Sequence, residues 1–99
     1  MPSTVQIMFG RIPVTDIPVL AAGFSSNEII TSGASTTTTT IVAKQGDSVV
    51  QITNTGAAVY VNIAPTPVAV ADDTSILILD STTRDFAVNV GDKVAVIDA

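Results

Sequence analysis

Residues 4–9 read Thr-Val-Gln-Ile-Met-Phe, and this stretch decides the fold class. Its apolar members Val5, Ile7 and Phe9 fall on one side of an extended chain, and the residues between them fall on the other. Alternation with a period of two is typical of a β-strand that buries one face. Because residues 59–63 repeat the pattern, the sequence predicts sheets and not helices.

The composition also favours β-sheet. Fourteen Val, eleven Ile and fourteen Thr make 39 β-branched residues, against three Leu, two Lys and a single Glu. Such side chains fit a pleated sheet and lose rotamer freedom in a helix. We therefore expect an all-β, single-domain antiparallel β-sandwich or a small barrel. Jelly-roll-like and Ig-like strand orders both remain open.

A chain of 99 residues has the length of one domain. Residues 31–99 are expected to form the β-sandwich core, and residues 1–30 an N-terminal arm or the first strands. Pro13 and Pro18 prevent any long strand in that first segment. An arm would bury its apolar residues against a neighbouring subunit. These predicted contact residues are Ile12, Val14, Ile17, Val19 and Leu20.

Turn residues separate the predicted strands. Gly-Asp pairs at 46–47 and 91–92 each precede a strand, and the Asn-Thr-Gly sequence at 54–56 predicts a hairpin turn. The apolar run at 76–79 predicts a short strand buried on both faces. The alternating residues 85–90 predict a strand with one buried face.

Two segments share a spacing. Residues 46–52 and 91–97 both read Gly-Asp-x-Val-x-x-Ile. A duplication would leave such a repeat, and so would two similar turns that each lead into a core strand. The second interpretation is the simpler one.

The one low-complexity tract, residues 31–40, ends in five consecutive Thr. Thr is a good strand former, so we expect the second half of the tract to be an exposed strand. At a sheet edge its unpaired backbone would be open to a partner. Thr37 and Thr39 are therefore predicted contact residues as well.

Several function classes are excluded by residue type. The chain has no His and no Cys, which removes imidazole acid–base chemistry, thiol nucleophiles and the commonest metal ligands. The net charge is -5 and the four cationic residues are scattered, which argues against nucleic acid. No segment approaches the roughly 18 apolar residues of a membrane helix, and the first residues lack the basic and apolar regions of a signal peptide.

Carboxylates are the remaining candidates for chemistry. Asp72, Asp73, Asp80 and Asp85 could pair as in a glycosidase, and the first three with Thr74 could supply some oxygen ligands for Ca²⁺. No Asp-x-Asp-x-Asp-Gly loop is present, and the aromatic residues that would stack on sugars are assigned to the core. They are Phe9, Phe24, Tyr60 and Phe86. We expect solvated loop acids, and thus no catalytic residues, no metal and no cofactor.

Charged residues make up 13% of the chain, against roughly 25% in an ordinary domain. On folding, a domain of this size buries only about two-thirds of the surface that its unfolded chain exposes to solvent. With so few charges to cover the rest, we expect some apolar surface to contact another subunit.

From about residue 30 onward the chain resembles small structural proteins of tailed bacteriophages. The Ser/Thr/Ala-rich segment 31–40 leads into Gly-Asp-Ser-Val-Val-Gln-Ile at 46–52. A Tyr-Val strand at 58–64 then precedes Pro-Thr-Pro, and an Asp-rich loop and an apolar strand follow. The chain closes on residues 86–97, in which Gly-Asp-Lys-Val-Ala-Val-Ile is the most telling piece. The match covers about two-thirds of the chain.

This resemblance implies a non-enzymatic virion component, a decoration or cement protein on the capsid exterior that is made in the host cytoplasm. Such proteins commonly form homotrimers that bridge subunits of the major capsid protein. No catalytic or ligand residues carry over, and neither nucleic acid nor membrane is an implied partner. The alternatives are a head–tail connector or tail-associated protein, and a small carbohydrate- or receptor-binding β-module.

Overall fold

The computed structural model describes residues 3–11, 25–72 and 74–99, which form two antiparallel four-stranded sheets. The strands are β1 (Thr4–Gly10), β2 (Ser26–Thr31), β3 (Thr37–Thr38), β4 (Val49–Thr55), β5 (Val59–Ala64), β6 (Ile76–Ile78), β7 (Thr82–Ala87) and β8 (Lys93–Asp98). Sheet A has the order β2-β1-β4-β7 and sheet B the order β3-β8-β5-β6. The predicted all-β sandwich is confirmed. Within the described residues, no helix is long and apolar enough to cross a bilayer.

The core lies between the two sheets and follows the alternation of the sequence. In β1, Val5, Ile7 and Phe9 are fully buried, and in β5 Val59 and Val61 are equally buried. Burying each such side chain contributes about 1.5–3 kcal/mol relative to leaving it in water. The β-branched composition therefore fills the space between the sheets.

The N-terminal segment supplies two strands of sheet A. β1 lies in the interior of the sheet, between β2 and β4, while β2 lies at an edge. The predicted contact residues Ile12, Val14, Ile17, Val19 and Leu20 lie outside the described residues.

The predicted hairpin at 54–56 is wrong. β4 ends at Thr55 in sheet A, and β5 begins at Val59 in sheet B, so the chain crosses from one sheet to the other. Gly56 does adopt a positive φ of 126°, as a tight connection requires. The crossing is held by the fully buried Asn54, whose Nδ2 donates to the carbonyl oxygen of Ala57 at 2.7 Å.

The apolar run at 76–79 is not buried on both faces. β6 is an edge strand of sheet B, so only its inward side chain Ile78 is fully buried. Leu77 points to the outer face and is 41% exposed, and Leu79, beyond the end of the strand, is 58% exposed. A continuous apolar run cannot by itself distinguish a central strand from an edge strand.

The strand predicted at 85–90 is shorter than its alternation suggested. β7 ends at Ala87, and Val88 is still buried, but Val90 is 62% exposed. The reason is the turn at 89–92, in which Asp92 Oδ2 accepts the backbone N–H of Asn89 at 2.8 Å. This turn takes Val90 off the buried face.

The Asn54 side chain is expected to contribute substantially to stability. Its Nδ2 also donates to the carbonyl oxygens of Ile78 and Leu79 at 3.2 Å each, so Asn54→Ala leaves buried acceptors without a donor. We expect a loss of about 2 kcal/mol in the free energy of unfolding, measured by urea titration.

The matched control is Asn62→Ala, which removes a single exposed bond to the carbonyl oxygen of Val68. It should cost less than about 1 kcal/mol. Equal losses for the two variants would contradict a structural role for the buried amide.

Candidate functional site

The outer face of sheet B carries a row of apolar side chains across three neighbouring strands. Tyr60 of β5 lies opposite Leu77 of β6 on one side and opposite Ile97 of β8 on the other. Val59 and Val61, which precede and follow Tyr60 along β5, point inward and are fully buried. Tyr60 therefore faces outward, and it is half-buried. Directly opposed residues of this kind touch one another across the sheet.

A segment between β5 and β6, residues 65–72, runs across the same outer face. Asn62 Nδ2 donates to the carbonyl oxygen of Val68 at 3.0 Å, and the Ala69 N–H donates to Thr36 Oγ1 at 3.0 Å. Ala69 is buried by this contact, whereas its neighbours Val68 and Val70 are 56% and 42% exposed. The segment thus covers part of the sheet and presents two valines of its own to solvent.

We call this surface the apolar face and define it by Tyr60, Val68, Val70, Leu77 and Ile97. Exposed apolar side chains are ordinary when single, but a group of them on one face is typical of a contact surface. A sheet face built in this way buries apolar area when a partner binds it.

The corresponding row on the outer face of sheet A is polar except at its edge, where the exposed Ile29 of β2 lies opposite Gln6. Gln6 of β1 lies opposite Thr53 of β4, which in turn lies opposite Thr83 of β7. The two threonine hydroxyls are 3.1 Å apart and share a hydrogen bond. The two outer faces therefore differ at the two central strands of the row, where sheet A has Gln6 and Thr53 and sheet B has Tyr60 and Ile97.

The predicted contact residues Thr37 and Thr39 lie in and next to β3. The expected exposed strand in the Thr tract is present as this two-residue edge strand of sheet B, with Thr37 half-buried. Thr39 is only 3% exposed, and its Oγ1 both donates to the Ile41 carbonyl oxygen and accepts the Val94 N–H. The Thr39 side chain is thus used inside the chain.

The acidic residues are used in separate turns. Asp72 Oδ1 accepts the N–H and the hydroxyl of Thr74, and Asp80 Oδ1 accepts the Gly56 N–H at 2.8 Å. Asp85 lies on β7 in sheet A. Residue 73 lies outside the described ranges, and within those ranges no three acidic side chains are grouped so as to hold a metal ion.

A shallow cavity of about 220 Å³ lies at one end of the sandwich, beside Gly10, Arg11 and the turn at 44–47. Its polar groups bond to one another: Ser25 Oγ donates to Asp47 Oδ2 at 2.7 Å, and Lys44 Nζ donates to the Ser25 carbonyl oxygen at 3.3 Å. The described groups of the cavity thus satisfy one another, and the cavity defines no site by itself.

The sequence-based prediction assigns Tyr60 to the core, places Leu77 in a strand buried on both faces and gives Ile97 no role. The sequence does indicate the outward direction of Tyr60, because Tyr60 alternates with Val59 and Val61 and must point to the opposite face. Which strands flank it could not be read from alternation.

The chain was compared with family models, curated proteins and solved structures, and none of them matches it. Its functional interpretation therefore depends on the chemistry of the apolar face and on the resemblance described above.

The Asp72 carboxyl gives a testable pH response. The hydroxyl and the backbone N–H of Thr74 hold its pKa below the ordinary 3.8. Because the pKa is lower in the folded state, the ionised carboxylate stabilises the loop at pH values above its ordinary pKa. This contribution disappears as the pH falls through the folded-state pKa. The effect is small because the carboxyl is fully exposed.

Thr74→Ala should move the Asp72 titration midpoint upward, towards 3.8, while the remaining N–H keeps part of the shift. A ¹³C NMR titration of the carboxyl carbon measures it. Thr66→Ala, earlier in the same connection between β5 and β6, is the control and should leave the midpoint unchanged. An unmoved midpoint in Thr74→Ala would show that the hydroxyl does not bind Asp72 in solution.

Proposed function

We propose that this chain is a non-enzymatic structural protein of a virion, which decorates a phage capsid and stabilises it by bridging subunits of the major capsid protein. The observation that carries the proposal is the apolar face on sheet B, whose central positions Tyr60 and Ile97 are occupied by polar residues on the outer side of sheet A. The resemblance of residues 30–99 to phage structural proteins supplies the identity of the partner. The location that follows is the capsid exterior, after synthesis in the host cytoplasm.

The mechanism is mechanical. A decoration protein adds contact area across the boundaries between capsid subunits, and the added interface resists the pressure inside the head. A rigid sandwich suits this role because a preformed surface loses little conformational entropy on binding. The apolar face supplies burial without the cost of desolvating charged groups.

Self-association is part of the proposal, since decoration proteins of the type it resembles commonly form homotrimers. Light scattering over a concentration series should give three times the chain mass of 10.1 kDa. A closed ring of six or twelve chains would instead favour a head–tail connector or tail-associated role. A strict monomer would remove the threefold arrangement from the proposal.

Capsid addition tests the proposed partner directly. Purified protein should co-sediment with expanded head shells of its source. Leu77→Thr, which shortens an exposed side chain of the apolar face, should weaken this binding by about tenfold or more. That factor corresponds to about 1.4 kcal/mol, near the lower end of what burying a leucine contributes.

The matched control is Ile29→Thr, because Ile29 is an apolar residue on the edge strand of sheet A that is even more exposed than Leu77, at 62% against 41%. It should leave binding within about twofold, as surface substitutions outside an interface do. Failure of the unmodified protein to add to head shells would refute the proposed function. Equal losses in the two variants would refute the assignment of the face.

A further inference from the structure

The two sheets have the same strand order once the strands are counted four places further along the chain. Adding four to each strand number, and starting again at β1 after β8, converts β2-β1-β4-β7 into β6-β5-β8-β3. This is the order of sheet B read from its other edge. We infer that the chain consists of two copies of one four-strand unit, β1–β4 and β5–β8. We further infer that each copy completes its sheet with one strand from the other.

The ladders agree rung by rung. In sheet A, Ile7 lies opposite Ile52, and in sheet B, Val61 lies opposite Val96. Placing β1 on β5 and β4 on β8 by these pairs reproduces all six rungs of the β5–β8 ladder. In this superposition buried residues fall on buried residues, such as Val5 on Val59 and Val50 on Val94, whereas a one-residue slip would place them on outward-facing residues.

The neighbouring strands match in the same alignment. β2 places Ile30 opposite Val5, and β6 places Ile78 opposite Val59. Ile30 and Ile78 are both buried in the core cluster. The residues before them, Ile29 and Leu77, are both exposed.

The turns that precede β4 and β8 have the same hydrogen bonds. In turns 44–47 and 89–92, the backbone N–H of the aspartate donates to the carbonyl oxygen three residues earlier, at 2.9 and 3.1 Å. Its Oδ2 accepts the N–H of that same earlier residue, at 2.8 Å in both turns. The glycine before it has φ of 96° and 93°. The shared spacing in the sequence thus reflects one turn used twice.

Each turn also bonds across to the other copy. The Ala43 N–H donates to the Asp92 carbonyl oxygen at 2.9 Å, and the Val88 N–H donates to the Ser48 carbonyl oxygen at 3.0 Å. The acceptor is one residue later in the second bond, because the first copy has one extra residue between its turn and its strand. The same extra residue explains why the aligned turns, 44–47 and 89–92, are one residue further apart in the sequence than the aligned strand residues Ile52 and Val96.

The exchanged strands interlock the copies. β3 of the first copy pairs with β8 of the second, and β7 of the second pairs with β4 of the first. Neither copy has all four strands of a sheet by itself. The partner that this unit fits is therefore a second copy of the same unit, here covalently linked to it.

The place where the copies join lies next to both ends of the described chain. Ser3 Oγ donates to the Ala57 carbonyl oxygen at 2.7 Å and accepts the Ala57 N–H at 2.8 Å. The Ala99 N–H donates to the Ala58 carbonyl oxygen at 3.2 Å. In the alignment Ser3 corresponds to Ala57 and Ala99 to Thr55. Since Thr55 and Ala57 are separated by Gly56 alone, one glycine should also be enough to join Ala99 to Ser3.

The test is a rearranged chain of residues 3–99 that starts at Ala57, continues to Ala99, passes through a single glycine and then runs from Ser3 to Thr55. The glycine takes the place of Gly56, so all residue types of 3–99 are kept. We expect the same amide NMR pattern in the strands and a Tm within about 5 °C of the parent chain. A second version with a six-residue Gly/Ser junction should be no more stable, because a longer loop only adds closure entropy.

A drop in Tm of more than about 15 °C with the one-glycine junction, relative to the six-residue junction, would overturn the inference. So would failure of both versions to fold, because equivalent connections predict that both fold.

A second pair of variants tests the turns in the unrearranged chain. An added Cβ meets no atom of the described residues within 4 Å at Gly46 or Gly91, so the effect of Gly46→Ala and Gly91→Ala comes from the positive φ. Both should lower Tm by about 4–8 °C. A large drop in one variant with none in the other would show that the turns are not equivalent.

Discussion

The structure depends on how the chain crosses from sheet A to sheet B after β4. At that point Asn54 is fully buried, and its Nδ2 is shared among three carbonyl oxygens, those of Ala57, Ile78 and Leu79. One side chain therefore joins the end of a sheet A strand to the connection that follows it and to an edge strand of sheet B. A buried amide of this kind is strongly tied to one geometry, because unmade bonds are costly in a low-dielectric interior. Among the described residues, the Oδ1 atom of Asn54 has no hydrogen-bond partner.

Much of the fold could be predicted from the sequence, because alternation reports which side of a strand is buried. Val5, Ile7 and Phe9 are buried as their spacing indicates. Strand pairing could not be predicted in the same way. The residues at 54–56 suit a tight turn in a hairpin and equally a crossing between sheets, and only the buried Asn54 distinguishes the two. The exposure of Leu77 likewise depends on β6 lying at an edge, which local sequence does not specify.

The apolar face was predictable only in part. Tyr60 must point away from Val59 and Val61, so its outward direction follows from alternation alone. That Leu77 and Ile97 lie beside it follows from strand order, which depends on contacts between residues far apart in sequence. Thr37 and Thr39 were selected because an edge strand offers backbone, but packing turns Thr39 inward, where Val94 and Ile41 use its hydroxyl.

The two halves of the chain provide a comparison that bears on the apolar face. Gln6 and Thr53 occupy in sheet A the positions that Tyr60 and Ile97 occupy in sheet B, since the ladders agree rung by rung. Sheet A buries its inner face just as completely with these polar residues on its outer side. The architecture therefore does not require large apolar side chains at these positions. Their presence on one sheet and not on the other is what a surface shaped by contact with a partner would show, and it is this asymmetry between otherwise equivalent sheets that connects the fold to the proposed role.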